Sequence, residues 1–253
     1  MALGLLGAHS IRAHIEKQKQ LFFRILCRTS PGDICSQLFT HRLFQGLNNS
    51  PRLLGFIPDI LSILNTYDLG TYLDQFLLTG LFPPKFAWKK ICTCVIHNRE
   101  ETMWRDRLDL CSDFRLFRGC HWQLREYPLW TIARTNPGCL SSVKFLTSVC
   151  CRRASEENDT CHRCPQPRSI DVEHMLFHCP TTSTKISIAK FFDDIGALSV
   201  PLLTLLRGCS KDDMLAYMLG KIDSNFCECL DVDLFPNYLS LCYALIRSLP
   251  YDI

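Results

Sequence analysis

Residues 161–180 read CHRCPQPRSIDVEHMLFHCP and hold three cysteines and three histidines in twenty positions. A segment this rich in soft ligands restricts the fold more than any other part of the chain, because whatever joins its sulfurs fixes the local path. Cys161-x2-Cys164 has the spacing of a metal knuckle, in which two thiolates at a tight turn face one ion while backbone N–H groups point at the sulfurs. The polar runs SEENDT before it and PQPRS after it mark the tip of a loop or hairpin. SIDVEHMLFH then predicts a short helix, with Ser169 or Asp171 as its cap and Asp171 and Glu173 at its positive end. Pro180 cannot continue that helix.

His174 lies on this helix, nine residues beyond Cys164, and two residues compete to be the fourth ligand. His178 is one turn on, on the same face, which would complete a Cys2His2 set. Cys179 is about 140° round an ideal helix from His174 and reaches the ion only where the helix ends, as Pro180 allows. Buried thiols beside exposed imidazoles are the bland alternative. A redox CxxC belongs in a βαβ setting that is missing here, and no orienting group or oxyanion hole marks a Cys–His dyad. Four ligands in C-x2-C-x9-H-x4-C order are far more specific than a lone CxxC, so a closed, structural zinc site is expected.

The remaining cysteines support that reading. The chain has 16 in 253 residues, many inside apolar runs such as LTSVCC and LSLCYAL, where a reduced thiol acts as a small hydrophobe. MALGLLGAHSIRAH is apolar for only about eight residues and lacks a basic start, so an export signal is not expected. LLGFIPDILSIL is interrupted by Pro58 and Asp59, so no membrane span is expected either. A reduced, intracellular protein, nuclear or cytoplasmic, follows. At 47% hydrophobic residues the chain can bury a substantial core.

Helical spacing dominates. Ile11, Ile15, Phe22 and Leu26 fit one helical face, as do Ile57, Ile60, Leu61 and Leu64. Trp88, Ile91, Cys92 and Val95 repeat the pattern after a Pro83-Pro84 start, and Tyr238, Leu241, Cys242, Leu245 and Leu249 do so before Pro250. The expected fold is mainly α: an irregular helical domain with a small zinc-stapled hairpin-plus-helix (CCHC) insertion. Its segments run 1–57, 58–153 (basic), 154–182 (the zinc motif) and 183–253 (acidic).

The string C-x2-C, followed by an acidic residue shortly before EHMLFHCP, resembles the C-terminal zinc-binding segment of non-LTR (LINE-type) retrotransposon reverse transcriptases. In that family a C..C…EHLLFxCP string follows the polymerase domain. The matching positions are Cys161, Cys164, His174 and Cys179, framed by Leu176, Phe177 and Pro180. The resemblance spans residues 58–221, specific at the CCHC string and diffuse elsewhere. It implies Cys179 rather than His178 as the fourth ligand. It also implies a non-catalytic segment, a truncated or separate copy, that helps hold template RNA or target DNA.

Catalytic signatures fail in turn. FFDD at 191–194 resembles the [FY]-x-D-D string of reverse transcriptases, but lies downstream of the zinc segment rather than on an upstream hairpin, and reads as a helix end. Too few residues precede position 58 for fingers and palm. HExxH, GxSxG, a P-loop and the deaminase H-x-E are all missing, so no enzyme is expected.

Binding is the remaining expectation. RLFRGCHWQLREYPLWTIAR interleaves Arg115, Arg118, Arg125 and Arg134 with Trp122, Tyr127 and Trp130, and Arg152, Arg153, Arg163 and Arg168 flank the knuckle. Arginine pairs phosphates bidentately and exposed aromatics stack on unpaired bases, although the tryptophans read equally well as core. Residues 1–168 hold 22 Lys+Arg against 14 Asp+Glu, while 169–253 hold 6 against 11. RNA or single-stranded DNA is therefore the expected partner. The rival is a helical protein-interaction module with a purely structural zinc clip and a protein partner.

Overall fold

The computed structural model describes residues 6–48, 54–111, 114–151, 161, 164, 171–179 and 182–249. Among these residues are fourteen α-helices and no β-strand, the one isolated bridge joining Leu6 to Glu126. A mainly α fold is what the apolar spacing predicts. No described helix is long and apolar enough to cross a membrane.

The chain forms two compact units. The first, Ala8–Met103, begins with α1 (Ile11–Cys27), capped by the Ser10 hydroxyl, which accepts the Ala13 amide. Then come α2 (Ile34–Leu47), capped by Asp33, α3 (Phe56–Thr66) and α4 (Gly70–Thr79). Gly80, at φ 68°, closes α4 in the left-handed conformation that glycine adopts without penalty. The long α5 (Lys85–Leu110) starts after Pro83-Pro84, with the Trp88 amide donating to the Pro84 carbonyl. Phe82 sets its edge against Phe23 and Trp88, and the Trp88 indole N–H donates to the Gln20 carbonyl at 2.8 Å. Ile60, Leu64, Cys92 and Ile96 complete this core.

Helix α1 departs from its expected orientation. Its buried residues are Ala13, Gln20, Phe23 and Cys27, while Ile11, Ile15 and Phe22 are exposed and Leu26 is only partly covered. Phe23 draws the helix round, because its ring fits between Phe39 and Phe82, in edge contact with both.

The second unit comprises Met1–Gly7 and Trp104–Ile253. After the end of α5 it contains α6 (Arg115–Cys120), α7 (Pro128–Thr135), α8 (Leu140–Cys150), α9 (Val172–Phe177) and α10 (Thr182–Leu198). It continues with α11 (Val200–Gly208), α12 (Lys211–Met218), α13 (Ser224–Cys229) and α14 (Phe235–Arg247). Tyr238, Cys242, Leu245 and Leu249 are buried, as their spacing predicts, and α14 packs on α10 and α8. Phe117, Tyr127, Leu129, Leu146, Ile195 and Phe226 fill the same core. The units divide at 103/104, inside the stretch 58–153 that the sequence alone leaves undivided.

FFDD lies within α10 rather than at its end: Phe191 is buried, Phe192 half-buried and Asp193 exposed. Pro250 and the loop or hairpin expected at 154–170, apart from Cys161 and Cys164, lie outside the described residues.

Candidate metal centre

The short helix α9 is built to present one side chain. Asp171 caps it, its carboxylate accepting the His174 amide at 2.6 Å. Val172, Met175 and Leu176 are buried in the core of the second unit, and α9 packs on α10 and α12. Arg115 on α6 holds the N-terminal end, with its guanidinium 2.6 Å from Glu173 and 3.8 Å from Asp171.

Beyond Phe177 the helix unwinds. The amides of His178 and Cys179 both donate to the His174 carbonyl, at 2.9 and 2.8 Å. The second of these, an i→i−5 bond, opens the last turn wider than an α-helical one and carries Cys179 round to the side of His174, which a continued α-helix could not do. His178 instead faces Glu173, its Nε2 3.9 Å from the carboxylate.

Cys161, Cys164, His174 and Cys179 thus converge, with one ligand atom from each within 4.8 Å of all the others, and together they can hold a metal ion. Cys161, His174 and Cys179 are buried and Cys164 is half-buried. The Cys161 and Cys179 sulfurs lie 4.0 Å apart, and the Cys164 sulfur lies 3.4 Å from His174 Nε2. A tetrahedral ion with bonds of about 2.3 Å to sulfur and about 2.0 Å to nitrogen places sulfurs about 3.8 Å apart and a sulfur about 3.5 Å from a nitrogen. These two separations match that geometry to a few tenths of an ångström, and the other ligand atoms lie within 4.8 Å of one another. Four protein ligands are the number that a structural tetrahedral site uses.

Desolvation, and then the neighbouring Cys161 and Cys179 thiols, push the Cys164 thiol up to about 11.

The arginine- and aromatic-rich stretch separates into different environments. Arg118 pairs with Asp109 at 3.0 Å and Arg134 with Glu126 at 3.1 Å, so with Arg115 three of its four arginines face carboxylates. Arg125 is exposed. Tyr127 is fully buried, its hydroxyl donating to the Leu219 carbonyl. Trp130 is packed on the core rather than open for stacking, because α7 turns it inward beside the buried Leu129 and Ala133. Trp122 is 47% exposed, with the Arg105 guanidinium 4.4 Å from its ring centre. Sequence spacing gives no sign of Arg105, which comes from the end of α5 and meets Trp122 only through the fold. Arg152, Arg153, Arg163 and Arg168 lie outside the described residues.

Comparison of the chain with protein-family models, with curated proteins and with solved structures finds no match.

Proposed function

We propose that Cys161, Cys164, His174 and Cys179 hold one zinc ion in a structural site, and that the helical unit around it is a non-catalytic module binding RNA or single-stranded DNA. The observation that carries the zinc is the convergence of three cysteines and one histidine, since three thiolates favour a soft ion and four protein ligands are the mark of a structural rather than a catalytic centre. The likeness of the CCHC string to LINE-type reverse transcriptases supports the nucleic-acid role. So does the exposed Trp122 under the Arg105 guanidinium, a surface on which an unpaired base can stack beside a cation. A separate reading, a protein-interaction module with zinc as a clip, is favoured by the carboxylate partners of Arg115, Arg118 and Arg134.

Fluorescence anisotropy of a labelled single-stranded oligonucleotide with the zinc-loaded chain, over a series of salt concentrations, separates the two. Affinity should fall steeply with salt as phosphate contacts release counterions. Trp122→Ala should cost about 1–3 kcal/mol of binding with the slope kept. Binding that ignores both salt and Trp122 leaves the protein-interaction reading in place.

A further inference from the structure

Helix α1 carries a second apolar face that the first unit covers only in part, the Phe22 ring meeting Phe56 edge-on at 5.3 Å. Ile11, Ile15, Gln18, Phe22 and Ile25 follow one another at intervals of four, three, four and three residues, and all five are exposed. The four apolar members range from 49% to 75% exposed. On an ideal helix these positions fall within about 40° of one line, roughly opposite the arc of Ala13, Gln20, Phe23 and Cys27 that is buried. A four–three repeat is the seam of a coiled coil, and a single polar residue in mid-seam sets register and partner at some expense of stability. Gln18 occupies that place. A membrane surface gives no use for a polar residue in the middle of the apolar line, whereas a facing helix does.

The flanks of the seam say what kind of helix fits. Arg12, Lys19 and Leu26 border one side, and His14, Leu21 and Arg28 the other, with no carboxylate among them. The nearest acidic group on α1, Glu16, lies behind the seam and accepts a hydrogen bond from Tyr67 at 2.6 Å as well as from Arg12. Lys19 pairs with Asp59 of α3 across an exposed contact that a competing carboxylate can replace. Flanking charges choose coiled-coil partners, and a second copy of α1, in either direction, would set basic or histidine side chains against one another.

We infer that the outward face of α1 is a docking seam for an amphipathic helix of another protein, one with apolar residues in heptad spacing and carboxylates at the flanking positions. The inference does not depend on the nucleic-acid reading.

The test uses the full chain and two synthetic peptides about four heptads long, identical along the seam, one with Glu and the other with Lys at every flanking position. Isothermal titration should show the Glu peptide binding on the order of tenfold more tightly than the Lys peptide at low salt, with the difference shrinking as salt rises. Ile15→Asp and Ile11→Asp should each abolish binding of the Glu peptide while circular dichroism stays unchanged, since both side chains are exposed. Val200→Asp, at an exposed apolar position on α11, should leave it intact. Equal binding of the two peptides, no binding of either, or binding that survives both α1 substitutions overturns the inference. So does a dimer of the chain, seen in sedimentation, that Ile15→Asp dissolves.

Discussion

The backbone N–H of Cys179 donates to the carbonyl of His174 at 2.8 Å, so the two metal-facing residues at the end of α9 are hydrogen-bonded to each other. Their relation brings Cys179 rather than His178 into the cluster that can hold a metal ion. The α-helix must end for Cys179 to come round, and the widened last turn leaves His178 beside Glu173.

Cobalt substitution of the reduced chain should therefore give the spectrum of a tetrahedral ion with three thiolates. Cys179→Ala should reduce the sulfur-to-cobalt band to that of two thiolates and weaken metal retention. His178→Ala should leave the spectrum as it was. A spectrum preserved in the first variant and lost in the second would reverse the assignment.

The orientation of α1 leads to a second expectation. Phe23→Ala removes a fully buried ring held between Phe39 and Phe82 and should cost about 3–5 kcal/mol. Ile11→Ala should change stability by no more than about 0.5 kcal/mol, because the side chain is exposed. Urea unfolding of both variants checks the pair, and a larger loss for Ile11→Ala would mean that the buried face is misplaced.

A third concerns pH. His9 Nε2 lies 3.2 Å from His97 Nδ1. Burial, then His97, hold the His9 imidazole below its ordinary value, with Lys17 acting in the same direction and Glu100 against it. The unfolded chain takes up that proton near pH 6.5 while the folded chain resists it. The contribution to stability is thus complete above that pH and is lost as pH falls through it. The urea midpoint should be lower at about pH 5 than at about pH 7.5, and His9→Gln should flatten part of the difference, worth less than about 1 kcal/mol at a half-buried, partly solvent-screened site. A pH dependence untouched by His9→Gln would assign it to other groups.

Much of the fold is legible in the residues. The faces of α3, α5 and α14 are read from spacing alone, because each has one apolar stripe and a proline or cap near an end. Helix α1 has two stripes displaced by about half a turn, and spacing cannot say which will be covered. That depends on Phe39, Phe82 and Trp88 arriving from distant parts of the chain. The metal cluster is legible as ligand order, but the choice of Cys179 over His178 rests on an unwound last turn that no periodicity encodes. Tyr127 and Trp130 look like the exposed Trp122 in sequence, and only the packing of α7 parts them.

Arg115 also takes on another meaning beside the cluster. A divalent ion among three thiolates and one neutral imidazole leaves one negative charge in excess, and Asp171 and Glu173 stand at the adjoining helix end. The Arg115 guanidinium stands against those two carboxylates. With a divalent ion bound, Arg115 offsets the two carboxylates that would otherwise add to that excess negative charge.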